Sequence, residues 1–236
     1  MRKIAISDIH GCVGSFEALL DRVALTTADE LYLLGDYIDR GPGSKEVIDK
    51  VFRLREQGHA VHCLRGNHEE AFVIAAYDDD FLYSWSRGWG GEQTLESFGI
   101  DSPRHVSDAY WEFIRSLGYV LEVDEYILVH AGLNFMQTNP LKRGEDMLLI
   151  RNWYEFIDYD WLGNRIIVHG HTPIQRSLME ELLANLDSQR VLNIDGGCFA
   201  KHLPGKGYLC AFDMTNRLLY FQKNLDDVSG YWKGIA

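Results

Sequence analysis

Five short segments of this 236-residue chain carry side chains able to grip a metal ion. They hold Asp8 and His10, Asp36 and Asp39, Asn67 and His68, His130, and His171. Each set follows a short apolar run that reads as a β-strand. In open α/β sheets the loops after strand C-termini converge on one crevice, so all five are expected to meet at one edge. Asp8 and His10 stand two residues apart, which in an extended segment puts both side chains on one side of the backbone, as chelation requires. Gly35 and Gly66 allow the chain to turn sharply beside Asp36 and Asn67. Carboxylate, imidazole and amide oxygen together suit Mn²⁺, Fe or Zn²⁺ better than the all-oxygen shell preferred by Ca²⁺ or Mg²⁺.

The elements that must position these groups follow from hydrophobic period. Lys3 to Ser7, Glu30 to Leu34 and Ala60 to Leu64 read as strands. Between them, Ser15 to Leu25 shows Phe16, Leu19, Leu20 and Val23 on one helical face. Ser44 to Gln57 does the same through Val47, Ile48, Val51, Phe52 and Leu54, and Gly58 is placed to end it in a left-handed conformation. Residues 69–117 turn mostly helical and rich in tryptophan (Trp85, Trp89, Trp111), which predicts a helical cap insertion. Strands are then expected at Tyr119 to Val123, Tyr126 to Val129, Arg165 to Val168, Val191 to Ile194, Tyr208 to Phe212 and Leu218 to Phe221, the last two joined through a turn at Asn216. No repeat or linker divides the chain, so a single domain over residues 1–236 is expected.

With 35 acidic against 23 basic residues the net charge is -12. That balance argues against a general nucleic-acid or anionic-membrane binder, which needs a broad basic surface. A small anionic substrate in a locally positive pocket is compatible with it. Cys12, Cys63, Cys198 and Cys210 are widely spaced and show neither a zinc-knuckle pattern nor a disulfide framework. The N-terminus lacks the apolar core of a signal peptide and no run reaches bilayer length, so a soluble cytoplasmic protein is expected.

The segments SDIHG, GDYIDRG, RGNHE, HAG and HGHTP, in that order, resemble those of the calcineurin-like metallophosphoesterases. More narrowly, GDYIDRG with RGNHE resembles the phosphoprotein phosphatase branch and its compact bacterial and phage members. The resemblance implies an α/β fold of two packed mixed sheets flanked by helices. It implies a first metal on Asp8, His10 and Asp36, with Asp36 bridging to a second on Asn67, His130 and His171. His68 matches the family's acid, Asp39 its orienting carboxylate, and Arg40, Arg65 and Arg151 its phosphate-binding arginines. Mn²⁺ is the favoured ion. Two such ions can activate a water for in-line attack on phosphorus and clamp the phosphoryl oxygens.

The expected reaction is hydrolysis of a phosphate ester, foremost from phosphoserine, phosphothreonine or phosphotyrosine in proteins or peptides. A symmetrical dinucleoside tetraphosphatase is the rival reading, and an inert adaptor that keeps the fold is a third. His59, His62, His105 and His202 lack motif context and read as structural or solvated. His169 reads as packing or as support for a neighbouring ligand. Trp85 and Trp89 read as core rather than as stacking platforms, and Cys12 as an inert packed thiol. Asp195, in a segment where relatives often carry a small hydroxyl residue, has no clear role.

Overall fold

A computed structural model describes residues 1–233. Its first sheet is built from β1 (Lys3–Ile6), β2 (Glu30–Leu33), β3 (Ala60–Cys63), β8 (Tyr208–Asp213) and β9 (Leu218–Lys223), in the order β3-β2-β1-β8-β9. The second holds β4 (Val120–Val123), β5 (Tyr126–Val129), β6 (Ile166–His169) and β7 (Val191–Asn193), in chain order. β1, β2 and β3 are mutually parallel, as are β5, β6 and β7. The ligand segments therefore hang from the C-terminal ends of two facing sheets, where the sequence suggested one edge.

Strand side chains alternate between faces, and this alternation sorts them into separate cores. Ile4, Ile6, Leu31 and Leu33 pack outward on helices α1 (Val13–Arg22) and α2 (Ser44–Glu56), meeting Phe16, Leu19, Val47, Ile48 and Val51. Ala5, Tyr32 and Leu34 face the second sheet, whose Leu128, Ile166 and Val168 fill the space between. The opposite face of that sheet, through Ile127, Val129 and Ile167, packs on Leu133, Met147, Trp153 and Leu162. The result is two mixed sheets flanked by helices.

Helix boundaries shift where local chemistry overrides the apolar period. The first helix stops at Arg22 rather than Leu25 because Ala24 turns left-handed (φ 48) and its N–H goes to the Asp21 carbonyl. Gly58 (φ +87) follows the end of α2 as anticipated. Between β3 and β4 lie α3 (Asn67–Ala75), α4 (Asp79–Gly88), α5 (Gly91–Phe98) and α6 (Asp108–Ser116). Among the described residues no helix is long and apolar enough to cross a membrane.

One buried acid joins the loops after β2 and β3. Glu69, in the first turn of α3, is fully buried and accepts the N–H groups of Gly66 (2.9 Å), Asp36 (2.9 Å) and Tyr37 (2.8 Å). The first of these is the backward reach of a capping box; the other two extend it to the neighbouring loop. Burial, with Asp36 nearby, pushes its carboxyl up to about 7. The approach is so close that a Cβ on Gly66 would overlap the Asp36 carboxylate. Glu69→Gln sets an amide donor against these backbone donors and should cost ~2–4 kcal/mol of stability in urea unfolding. A loss below about 0.5 kcal/mol, the level of an ordinary surface change, would contradict this role.

Candidate metal centre

The segments at the strand ends are laced together by their backbones. His10 N–H donates to the Asp36 carbonyl and Gly11 N–H to that of Tyr37, both at 2.8 Å, joining the loops after β1 and β2. His171 N–H donates to both Asp8 carboxylate oxygens at 3.1 Å, and Gly170 N–H to the His130 carbonyl at 2.8 Å. The backbone bends to allow this. Asp8 (φ 47), His10 (48), Asp36 (52), Asp39 (71), Arg40 (70) and His171 (69) are all left-handed. For non-glycine residues this conformation is uncommon, and it concentrates where surrounding structure enforces it at functional sites.

Asp36 stands at the middle. Its Oδ2 is 3.4 Å from His10 Nε2 and 3.9 Å from His68 Nε2, and its Oδ1 is 3.5 Å from His130 Nε2. Two groups with ligand atoms all within 4.8 Å of one another share it: His10, Asp36 and His68, and Asp36, His130 and His171. Asn67 Oδ1 lies between His130 Nε2 (3.0 Å) and His171 Nδ1 (2.9 Å). Ring orientation is fixed from behind, because His10 Nδ1 faces the Ile38 carbonyl (3.0 Å) and His130 Nδ1 that of Leu34 (2.9 Å). With those nitrogens donating, each Nε2 presents its lone pair inward.

This donor set fits a pair of cations. Burial pushes the His10 imidazole well below its usual range, His130 down to about 4 and His171 down to about 2, so each is neutral and able to ligate. Burial also raises the carboxyls: Asp8 well up, Asp36 and Asp195 to about 7. Three acids crowded away from water cannot all ionise without positive charge beside them. His171 Nε2 and Asp195 Oδ2 are buried without a hydrogen-bond partner among the described residues.

His68 is held from the other side. Its Nδ1 lies 2.6 Å from Asp39 Oδ2, which also accepts from Trp85 Nε1 (2.7 Å), while Asp39 Oδ1 accepts from Thr94 Oγ1 (2.6 Å). Arg40 places Nη1 at 2.8 Å from His10 Nε2 and Nη2 at 2.9 Å from His68 Nε2, with its guanidinium over the Phe199 ring. A guanidinium can only donate, so His68 is neutral here with its proton on Nδ1. Burial first, then Arg40, hold it well below the usual imidazole range.

The remaining expectations divide. Arg40 and Arg151 line a cavity of about 250 Å³ with Asn67, His68, Trp89 and His171. Arg65 is elsewhere: its guanidinium is bound to Glu70 (2.6 Å) and the Ile114 carbonyl (2.7 Å), so a phosphate contact is not supported. His169 joins neither metal-facing group; its Nε2 meets the Tyr154 hydroxyl at 2.5 Å. The Cys12 thiol is fully buried, and its contact with Cys198 and its burial hold it protonated, as an inert thiol would be. Sequence reasoning missed Glu69, Trp85 and Thr94. The three-residue step from Gly66 to Glu69 could have marked the first; Trp85 and Thr94 reach Asp39 across 46 and 55 residues with no local signal.

A profile described as calcineurin-like phosphoesterase matches residues 1–209. The chain is 30% identical over 233 residues to the asymmetrical bis(5'-nucleosyl)-tetraphosphatase PrpE of Bacillus subtilis, covering 85% of this chain and 88% of that one. It is 29% identical over 144 residues to a symmetrical bis(5'-nucleosyl)-tetraphosphatase of Pseudomonas putida, covering 53% of this chain and 49% of that one, so it spans about half the length of such relatives. Among solved structures, one provisionally named a diadenosine tetraphosphatase superposes with a TM-score of 0.67 at 18% identity, covering 93% of this chain and 92% of that one. A protein serine/threonine phosphatase from Saccharomyces cerevisiae gives 0.62 at 14% identity, covering 96% and 81%. These two likenesses concern the fold. Residues 1–209 carry the matched profile and the whole strand-end cluster, and the chain belongs to the calcineurin-like phosphoesterase family.

Proposed function

We propose that the protein hydrolyses dinucleoside tetraphosphates asymmetrically. The supporting observation is the 30% identity that runs through 88% of the Bacillus subtilis enzyme, whereas the yeast protein phosphatase shares the fold at 14%. Phosphoprotein hydrolysis, the leading expectation from the motifs, becomes the second reading, favoured by GDYIDRG and RGNHE.

In this reading Asp8, His10 and Asp36 would hold one divalent ion, and Asp36, Asn67, His130 and His171 would hold the other, with Mn²⁺ the favoured species. Bound there, the ions supply Lewis-acid polarisation of phosphoryl oxygens and a water of lowered pKa. Arg40 and Arg151 donate to the phosphoryl oxygens. A phosphate is a stronger acceptor than an imidazole nitrogen, so its arrival draws Arg40 from His68 Nε2 and frees that atom to carry a proton. In the reaction the water oxygen bonds to phosphorus and the bond from phosphorus to its bridging oxygen breaks. A polyphosphate leaves readily as an oxyanion; a seryl alkoxide needs a proton, which His68 gives from Nε2.

With Mn²⁺ supplied, kcat/KM for diadenosine tetraphosphate should exceed that for a phosphoseryl peptide at least tenfold, with AMP and ATP as products. The reverse ranking would restore the phosphoprotein reading, and ADP alone would make the cleavage symmetrical. His68→Asn should lower kcat ~10²- to 10⁴-fold on a phosphate monoester and less on the anhydride. Trp85→Phe, which removes a donor to Asp39, should lower monoester kcat by roughly tenfold with manganese content intact. Equal effects of His68→Asn on both substrates would contradict the acid role. Manganese at a hundred times its Kd should stabilise chelator-stripped protein by about 2.7 kcal/mol, seen as a rise in Tm. Asp36→Asn should abolish that rise; a variant that still holds both ions by elemental analysis would contradict the bridge.

A further inference from the structure

A second cavity adjoins the metal-facing one. Its volume is about 400 Å³, and Arg151 lines both. Arg151 Nη1 is held at 2.7 Å by Thr172 Oγ1, another lining residue, so the guanidinium is fixed at the junction. The walls are largely apolar and aromatic, through Ile150, Trp153, Tyr154 and Ile174. Trp153 is 3% exposed and anchored by Nε1 to the Ala131 carbonyl (3.1 Å). Tyr154 stands edge-on to Trp153 (centroids 4.8 Å apart) and to His169 (5.5 Å), with its hydroxyl on His169 Nε2. Three contacts thus immobilise a ring whose residue remains 39% exposed.

We propose that this cavity is the nucleoside subsite, with the base on the Tyr154 ring and Arg151 on the phosphate that links it to the reacting phosphorus. The inference rests on the tetraphosphatase reading above. A pocket mostly apolar, with a few fixed polar groups and room for a base and its ribose, is what a nucleoside needs. Base-on-aromatic stacking is tolerant of base identity, and a ring already held in place loses little entropy on contact. Charge points the same way: Arg151 at the junction attracts the phosphate, and the polar Glu155 on the lining offers an acceptor to ribose hydroxyls. His169, which neither metal-facing group recruits, acquires a use as the support that aims Tyr154.

The test measures inhibition of p-nitrophenyl phosphate hydrolysis, in the manganese-loaded enzyme, by AMP and by ribose 5-phosphate. AMP should inhibit at least fivefold more tightly, the least that stacking of one base contributes. Tyr154→Ala should bring the two inhibition constants within twofold of each other, and Tyr154→Phe should keep them apart. Should Tyr154→Ala fail to fold, Ile174→Trp, which fills the cavity from another wall, should likewise collapse the ratio. Equal inhibition of wild type by both compounds, or a ratio that survives loss of the ring, overturns the subsite. Tetraphosphate turnover with equal inhibition removes only the subsite. AMP-selective inhibition in an enzyme that prefers phosphopeptides removes the tetraphosphatase reaction and leaves a nucleoside site.

Discussion

A carboxylate shut away from water among other acids must be matched by positive charge, and Asp36 is in that position. Its neighbours are buried neutral imidazoles, the buried carboxyls of Asp8 and Asp195, and the Arg40 guanidinium. The fold accepts this unfavourable grouping because backbone hydrogen bonds hold every loop that contributes to it. Glu69 ties Asp36 to the start of α3, and His171 N–H ties Asp8 to the loop after β6. What looks costly in the isolated protein is complementary to cations, and much of the surrounding architecture serves to keep these acids from relaxing apart.

The order of events around the centre also divides labour among its basic groups. The imidazoles hold fixed lone pairs, oriented from behind by backbone carbonyls, and need not move. Arg40 instead spans two nitrogens, His10 Nε2 and His68 Nε2, and so links the two rings from the open side. Arg151 is the exposed counterpart, on the border between the metal-facing cavity and the aromatic one. Polarity therefore changes across one side chain, from a cluster of charge to a wall of rings.

Much of this was legible in the sequence for a simple reason: the motif residues sit at strand ends, and period-two and helical patterns locate those ends to within a residue or two. β5 at Tyr126–Val129 and the hairpin around Asn216 follow directly from alternation and a turn. Contacts between distant segments were less accessible. Asp39 is held by Trp85 and Thr94, whose surroundings in the chain look like ordinary helix. Arg65 misled because proximity along the chain is not proximity in space; its guanidinium runs to α6 and Glu70 instead. The two packed sheets were expected from the motif resemblance, while which strands pair within each sheet is a long-range property that no local pattern carries.

The lacing of the loops has a consequence for synthesis. Asp8 and the backbone that receives it are separated by 163 positions, so the grip on Asp8 cannot close until the strand ending at His169 has been made and docked. Long-range closure of this kind is slow relative to local helix formation. A ribosome therefore releases the early acids well before the partners that enclose them. During that interval they remain hydrated, and the enclosed cluster of acids and imidazoles belongs to the finished, docked sandwich rather than to the growing chain.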